Sequence, residues 1–289
     1  MDNIYDHIVG SMKFKQNLPH FALREYIYNY SFVEGNSPPA NTSMQIISNG
    51  YIELFMHFDG SFICIDRKNT KYNLNNYIIG INNNGNTIRL EPGKSSQKLN
   101  GLIVRFTHRG VNELLGVKIS NLCNEIVSSE EIWGYKGKQL FNVLFDTTEI
   151  CEKKEILDDF FLAQLTRHNE YHRIDLDLIS RICNEKNQRA TVENLADSLY
   201  LSYRTLSRKF ENETGICPKE YMKIVRINKI CQVINERKAI NLPEILYYGG
   251  YYDQSHFIRE FRATLNITPN ELLKNSNGNF YVTRGVRIN

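Results

Sequence analysis

Tyrosine, arginine, serine and glutamine side chains hydrogen-bond the edges of bases, and this chain presents them twice in one repeated pattern. Tyr203, Arg204, Ser207 and Arg208 lie on one side of a short segment, and Gln254, Ser255 and Arg259 lie on the same side of a second segment 51 positions later. The other side is apolar in both. Ser202, Leu206, Phe210 and Pro218 recur as Asp253, Phe257, Phe261 and Pro269, and Arg208 falls on Arg259. A Ser or Asp followed four and eight positions on by apolar residues describes an N-capped helix with one stripe turned to a core. The polar face is thereby left for a partner, and these seven residues are the candidate nucleic-acid contacts.

Elements that can hold such helices precede both. Thr191 to Leu199 (TVENLADSL) reads as a capped amphipathic helix, and Tyr200 to Ser202 turn the chain into the next helix, which is helix-turn-helix spacing. Leu242 to Tyr248 is a further short helix, followed by Gly249-Gly250-Tyr251-Tyr252, a turn whose glycines tolerate positive φ. Between the two units Pro218 opens a connecting helix with apolar residues at Met222, Val225, Ile230, Val233 and Ile234. Eighteen or so residues make that helix roughly 27 Å long. With the width of the packed units, the two recognition helices are expected about 34 Å apart, one turn of B-DNA.

These residues resemble the AraC/XylS family of bacterial transcription regulators. The matching stretches are LADSLYLSYRTLSRKFENETGICPKEY and GYYDQSHFIREFRATLNITPNEL, with Arg226 between them, and the resemblance runs from Ile174 to Lys274. It implies sequence-specific binding of double-stranded DNA, activation of transcription more than repression, and RNA polymerase as a partner. Four positions depart from the family pattern: Ile230 and Leu246 stand where Ala is usual, and Leu272-Leu273 where an aromatic-basic pair is usual. None removes a polar reading residue. Leu206, Phe210, Phe257 and Phe261 are expected in the core, and Arg226 is expected in an internal ion pair.

Charge agrees with this placement. The 289 residues carry a net +3, but from Arg173 onward there are 18 Lys+Arg against 13 Asp+Glu, net +5, while residues 1–172 carry 17 against 19, net −2. The modest excess supports nucleic-acid binding without establishing it. The start of the chain has no apolar run behind a basic segment, and nowhere is there a stretch of ~18–20 apolar residues, so no membrane association and a cytoplasmic location are expected. Cys64, Cys123, Cys151, Cys183, Cys217 and Cys231 form no C-x-x-C pair and are read as small core residues.

The first half alternates differently. In Gln45 to Ile65, Ile52, Leu54, Met56 and Phe58 interleave with Glu53, Phe55 and His57 between turns at Asn49-Gly50 and Asp59-Gly60. Further strands are expected at Tyr77 to Ile81, Thr87 to Leu90 and Gly101 to Phe106. Helices follow near Gly110 to Leu115, Leu140 to Thr148 and Cys151 to Thr166, the last with an apolar stripe of Ile156, Leu157, Phe160, Phe161 and Leu165. Leu102 to Gly134 is similar to the N-terminal domain of one AraC subgroup through Arg105-Phe106 and Trp133-Gly134, which implies a cupin-like domain for sensing a small-molecule effector or for dimerisation. The stripe is a candidate surface for a homodimer.

The chain is therefore expected to be α+β: a small antiparallel cupin-like β-barrel with helices over 1–168, a double helix-turn-helix domain joined by a long helix over 169–276, and a tail over 277–289 expected to be disordered despite Arg284 and Arg287. The competing reading is a cupin-type metal enzyme fused to a DNA-binding module. It needs two or three His and a carboxylate on neighbouring strands, whereas His57 and His108 are isolated. His168 and His172 stand four apart on a polar stretch without further ligands, and no phosphate-binding loop or nucleophile elbow occurs. No catalytic residue, metal or cofactor is expected. Trp133 is read as a core anchor.

Overall fold

The computed structural model describes residues 3–9, 12–36, 44–48, 50–59, 62–65, 71–73, 75–81, 88–92, 98–165, 191–236, 240–265, 267–275 and 280–282. The strands are β1 (Asn3–Val9), β2 (Met12–Asn17), β3 (Ile27–Asn36), β4 (Met44–Ile47), β5 (Ile52–Asp59), β6 (Phe62–Ile65), β7 (Lys71–Asn73), β8 (Asn76–Ile79), β9 (Ile88–Pro92), β10 (Lys98–Phe106), β11 (Ile126–Ser128) and β12 (Phe280–Val282). They form one sheet in the order β1-β2-β3-β10-β5-β8-β11 and another in the order β12-β4-β9-β6-β7. The expected closed barrel is corrected here: both sheets are open. Closure needs a ladder joining first and last strands. Three of the four edge strands, β7, β11 and β12, are only three residues long, and β11 leads straight into a helix.

β5 shows why the sheet holds. Ile52, Leu54, Met56 and Phe58 enter the core on one face, as their alternation requires. On the other face Glu53 is also buried, and its cost is met by Arg105, its cross-strand partner on β10, with Nη2 2.7 Å from Oε1. After β10, Thr107 caps α1 (His108–Gly110), which continues as a π-helical turn over Val111–Leu115. A 3-10 turn at Ile119–Leu122 leads to β11, α2 (Ser129–Trp133), α3 (Tyr135–Asp146) and α4 (Ile150–Leu165).

The apolar stripe of α4 is taken up within its own domain. Leu157 and Phe161 are fully buried, and Ile156, Phe160 and Leu165 pack partly buried against the same core. Trp133 is the anchor expected of it: its indole N–H donates to Leu114 O at 2.8 Å, and its ring meets Phe160 and Phe161 edge-on. Asp158 ties α4 to the sheet by accepting from the Tyr30 hydroxyl and the His20 N–H, both at 2.9 Å.

The second half is helical: α5 (Val192–Ser198), α6 (Tyr203–Thr214), α7 (Pro218–Glu236), α8 (Leu242–Gly249), α9 (Gln254–Leu265) and α10 (Pro269–Asn275). Its core is divided. Leu195, Leu206, Phe210, Tyr221 and Val225 are continuous with the core of the sheet domain, whereas Ile227, Ile230, Cys231, Ile234, Phe257, Phe261 and Leu272 form a separate cluster. The long helix α7 belongs to both.

The first helix-turn-helix unit is docked on the sheet domain through Tyr221. Its ring lies 5.9 Å from that of His108 and 5.3 Å from that of Phe210, and Gly50 packs so close that a Cβ there would meet Tyr221 Cε2 at 3.1 Å. Gly215, at φ +76 where α6 ends, lies against Ser120 and Cys123. The tail also departs from expectation. Phe280–Val282 pairs parallel with β4 as an edge strand, because three β-prone residues find open backbone donors and acceptors there. Arg284, Arg287, His168 and His172 lie outside the described residues.

Candidate nucleic-acid interface

Each recognition helix is set by its cap and its buried stripe. Ser202 Oγ accepts from Thr205 N at 3.2 Å, and the Asp253 carboxylate accepts from Ser255 N at 2.9 Å and His256 N at 3.1 Å. Leu206 and Phe210 in α6, and Phe257 and Phe261 in α9, are fully buried. Buried stripes fix the roll of the helices and turn the remaining faces outward. Tyr203, Arg204 and Arg208 are exposed and Ser207 is half-buried on α6; Gln254, Ser255 and Arg259 are exposed on α9. All seven candidate contacts thus lie at or near the surface of two equivalent helices.

The preceding helices are held the same way. Thr191 and Asn194 form a reciprocal capping box on α5, and Asn241 and Glu244 form one on α8. Both then end in the same hydrogen-bonded reversal. Tyr200 N donates to Asp197 O at 3.1 Å and Leu201 N to Ala196 O at 2.9 Å; fifty positions on, Gly250 N donates to Tyr247 O at 3.2 Å and Tyr251 N to Leu246 O at 2.9 Å. The spacing is therefore 50 residues before the turn and 51 after it, so the second turn carries one extra residue, Tyr252. At the left-handed position the first unit has Tyr200, φ +54, and the second has Gly250, φ +67.

Side chains that the repeated pattern did not single out also reach this surface. Lys209 on α6 and Arg262 on α9 are exposed and add positive charge, and each would have been found by extending the outward face one helical step. His256 is exposed in the first turn of α9, with Nε2 3.3 Å from Glu260 Oε2. Glu260 also lies 3.8 Å from the Arg226 guanidinium, which stacks over the Tyr251 ring at 5.4 Å. Arg226 is thus the internal ion-pair residue expected of it. It joins α7 to α9 and balances the acid carried by the second recognition helix.

Comparison with known proteins agrees with this geometry. Residues 195–275 match a family described as a helix-turn-helix domain, and residues 15–128 match a domain of unknown function, DUF6597. The HTH-type transcriptional activator RhaS of Escherichia coli O157:H7 is 31% identical over 84 residues, which is 29% of this chain and 30% of RhaS. The chain thus aligns with less than a third of the length of the curated relatives it matches. A crystal structure of an apo variant of ToxT from Vibrio cholerae, 14% identical, shares the fold with a TM-score of 0.50 over 85% of this chain and 97% of that one. The N-terminal sheet domain and the C-terminal helical domain thus occur together in a solved protein. The paired helix-turn-helix units make residues 195–275 of this chain a helix-turn-helix domain of the kind found in AraC/XylS transcription regulators.

Proposed function

We propose that the protein is a sequence-specific DNA-binding regulator, most simply an activator, that reads two adjacent major grooves with α6 and α9. One observation carries the reading: two helices built to the same cap, stripe and turn expose Arg208 and Arg259 at the same register while their apolar residues are buried. Tyr203, Arg204, Ser207, Gln254 and Ser255 share those faces and are the further contacts. Residues 169–276 form the DNA-binding part, and residues 1–168 the part that takes a small-molecule effector or supports a homodimer. RNA polymerase is the partner that activation requires. The stiff connecting helix, 19 residues long, keeps the two readers in fixed relation.

The test is selection of bound sequences from random duplex DNA by the intact protein, followed by Arg208→Ala and Arg259→Ala. Each change weakens the preferred site by about 1–3 kcal/mol and relaxes base preference at its own end, the two positions lying about 10 base pairs apart. Unchanged base preferences would make these arginines phosphate contacts, and changes at one shared position would refute reading by two grooves.

A further inference from the structure

The two turns reach one surface feature by different routes. In the first unit the left-handed position, Tyr200 at φ +54, carries a side chain 97% exposed. The second unit places Gly250 there and instead inserts Tyr252, 84% exposed, between the buried Tyr251 and the cap Asp253. Left-handed backbone is unfavourable for a tyrosine and free of cost for glycine. The hydrogen bonds of Tyr200 N to Asp197 O and Leu201 N to Ala196 O hold that conformation, but at 97% exposure the side chain itself adds no packing that would favour tyrosine over glycine there. A strained backbone that presents a side chain to solvent points to a function outside the protein.

We infer that Tyr200 and Tyr252 are a matched pair of phosphate contacts, one beside each recognition helix, whose phenol O–H donates to the DNA backbone. The inference rests on the DNA-reading function proposed above. In a helix-turn-helix unit the first helix crosses the backbone and the N-terminal end of the second enters the groove. The turn between them therefore lies over the sugar-phosphate strand at the groove edge. Bases in a duplex are stacked and paired, so an exposed phenol at that edge meets phosphate oxygens, for which tyrosine is a regular donor. Tyr203, 53% exposed, is the first residue of α6 after the Ser202 cap and so belongs to the end that would enter the groove. The turn residue and the helix residue thus divide backbone and base between them.

The experiment uses the full chain, a duplex selected by it, and an unrelated duplex of equal length. Tyr200→Phe and Tyr252→Phe keep the rings and remove only the hydroxyls. Each weakens binding by about three- to tenfold, as expected for the net contribution of one hydrogen bond in a wet interface. The factor is the same on both duplexes, and base preference is unchanged. Because the phenol is neutral, the slope of log affinity against log salt stays that of the parent, whereas Lys209→Ala, if it removes a phosphate contact, lowers it by about 0.9. Tyr200→Gly separates function from folding: it raises the unfolding temperature by relieving the backbone and still loses affinity. Parental affinity in both Phe variants overturns the inference and leaves the turn tyrosines to a protein partner; a changed base preference overturns it in favour of base reading. If the parent binds neither duplex, the proposed function itself fails.

Discussion

Phe261→Ala tests whether the helical half is built on two independent cores. Phe261 is fully buried in a cluster that holds, among the described residues, ten buried side chains drawn from α7, α8, α9, α10 and the turn before α9. Truncating a buried phenylalanine costs about 3–5 kcal/mol, the cavity included. A single core of that size supplies about 3–5 kcal/mol in total, so the loss is enough to unfold the second unit alone. Phe210→Ala removes an equivalent side chain from the larger core that the first unit shares with the sheet domain, where the same loss lowers stability without detaching a part. The chain's single tryptophan, Trp133, sits in that larger core, 5.3 Å from Phe160 and 5.9 Å from Phe161. Its fluorescence therefore reports the larger core, while far-ultraviolet circular dichroism reports every helix. In Phe261→Ala the dichroism shows an early helical transition and the fluorescence midpoint stays at the parental value; in Phe210→Ala both midpoints fall together. Equal displacement of the Trp133 midpoint in the two variants would refute the division into two cores.

Two other outcomes follow from single residues. Burial holds the His57 imidazole down to about 4 from an ordinary value of 6.5. Below about pH 4 folded and unfolded chains both carry the proton; between there and 6.5 only the unfolded chain does, so His57 withdraws up to about 3 kcal/mol of stability as pH falls through that window. Urea unfolding at neutral pH and at about pH 4.5 should show a smaller loss in His57→Gln than in the parent; an equal loss would contradict a neutral buried imidazole. Gly215→Ala places a Cβ at φ +76, 3.1 Å from Cys123 Cβ and 3.2 Å from Ser120 Cα. It should cost about 1–3 kcal/mol in thermal or urea unfolding, and an unchanged midpoint would mean that the first unit does not dock on the Ile119–Leu122 turn.

The sequence was most legible where short-range chemistry decides structure. Caps at Thr191, Ser202 and Asp253, and the stripes they introduce, placed α5, α6 and α9 within a residue or two, the reading of Leu242 to Tyr248 fell one residue short of α8, and the alternation of Ile52 to Phe58 placed β5. β3 was less legible: Tyr28, Tyr30 and Phe32 alternate with Asn29 and Ser31, but the two polar residues are buried as well, so the alternation marks no solvated face. The extra residue in the second turn was hidden as well. The recognition helices repeat at 51, and only the hydrogen bonds of Leu201 and Tyr251 show that the helices before them repeat at 50. Pairing of Phe280–Val282 with β4 is a contact across most of the chain, which no local pattern of three residues can announce.

The division of the helical half gives the two units unequal standing. The first is braced on the sheet domain at Tyr221, Gly215 and Asn228, the last with its amide 3.5 Å from Ser48 O. The second is fixed to the rest through α7, whose Tyr221, Met222, Ile224 and Val225 enter one core and whose Ile227, Ile230, Cys231 and Ile234 enter the other. A continuous helix resists bending because each turn is locked by its backbone hydrogen bonds, so the orientation of α9 is referred back to the sheet domain along α7. The buried Phe257 and Phe261 set the roll of α9 on that axis, and the Arg226–Glu260 contact adds a tie from a residue one position outside the second core. In the proposed reading, base recognition by α9 therefore depends on packing at Tyr221. On that proposal, substitutions at that joint would act on the second groove through geometry, and substitutions at Arg259 would act on it through contact.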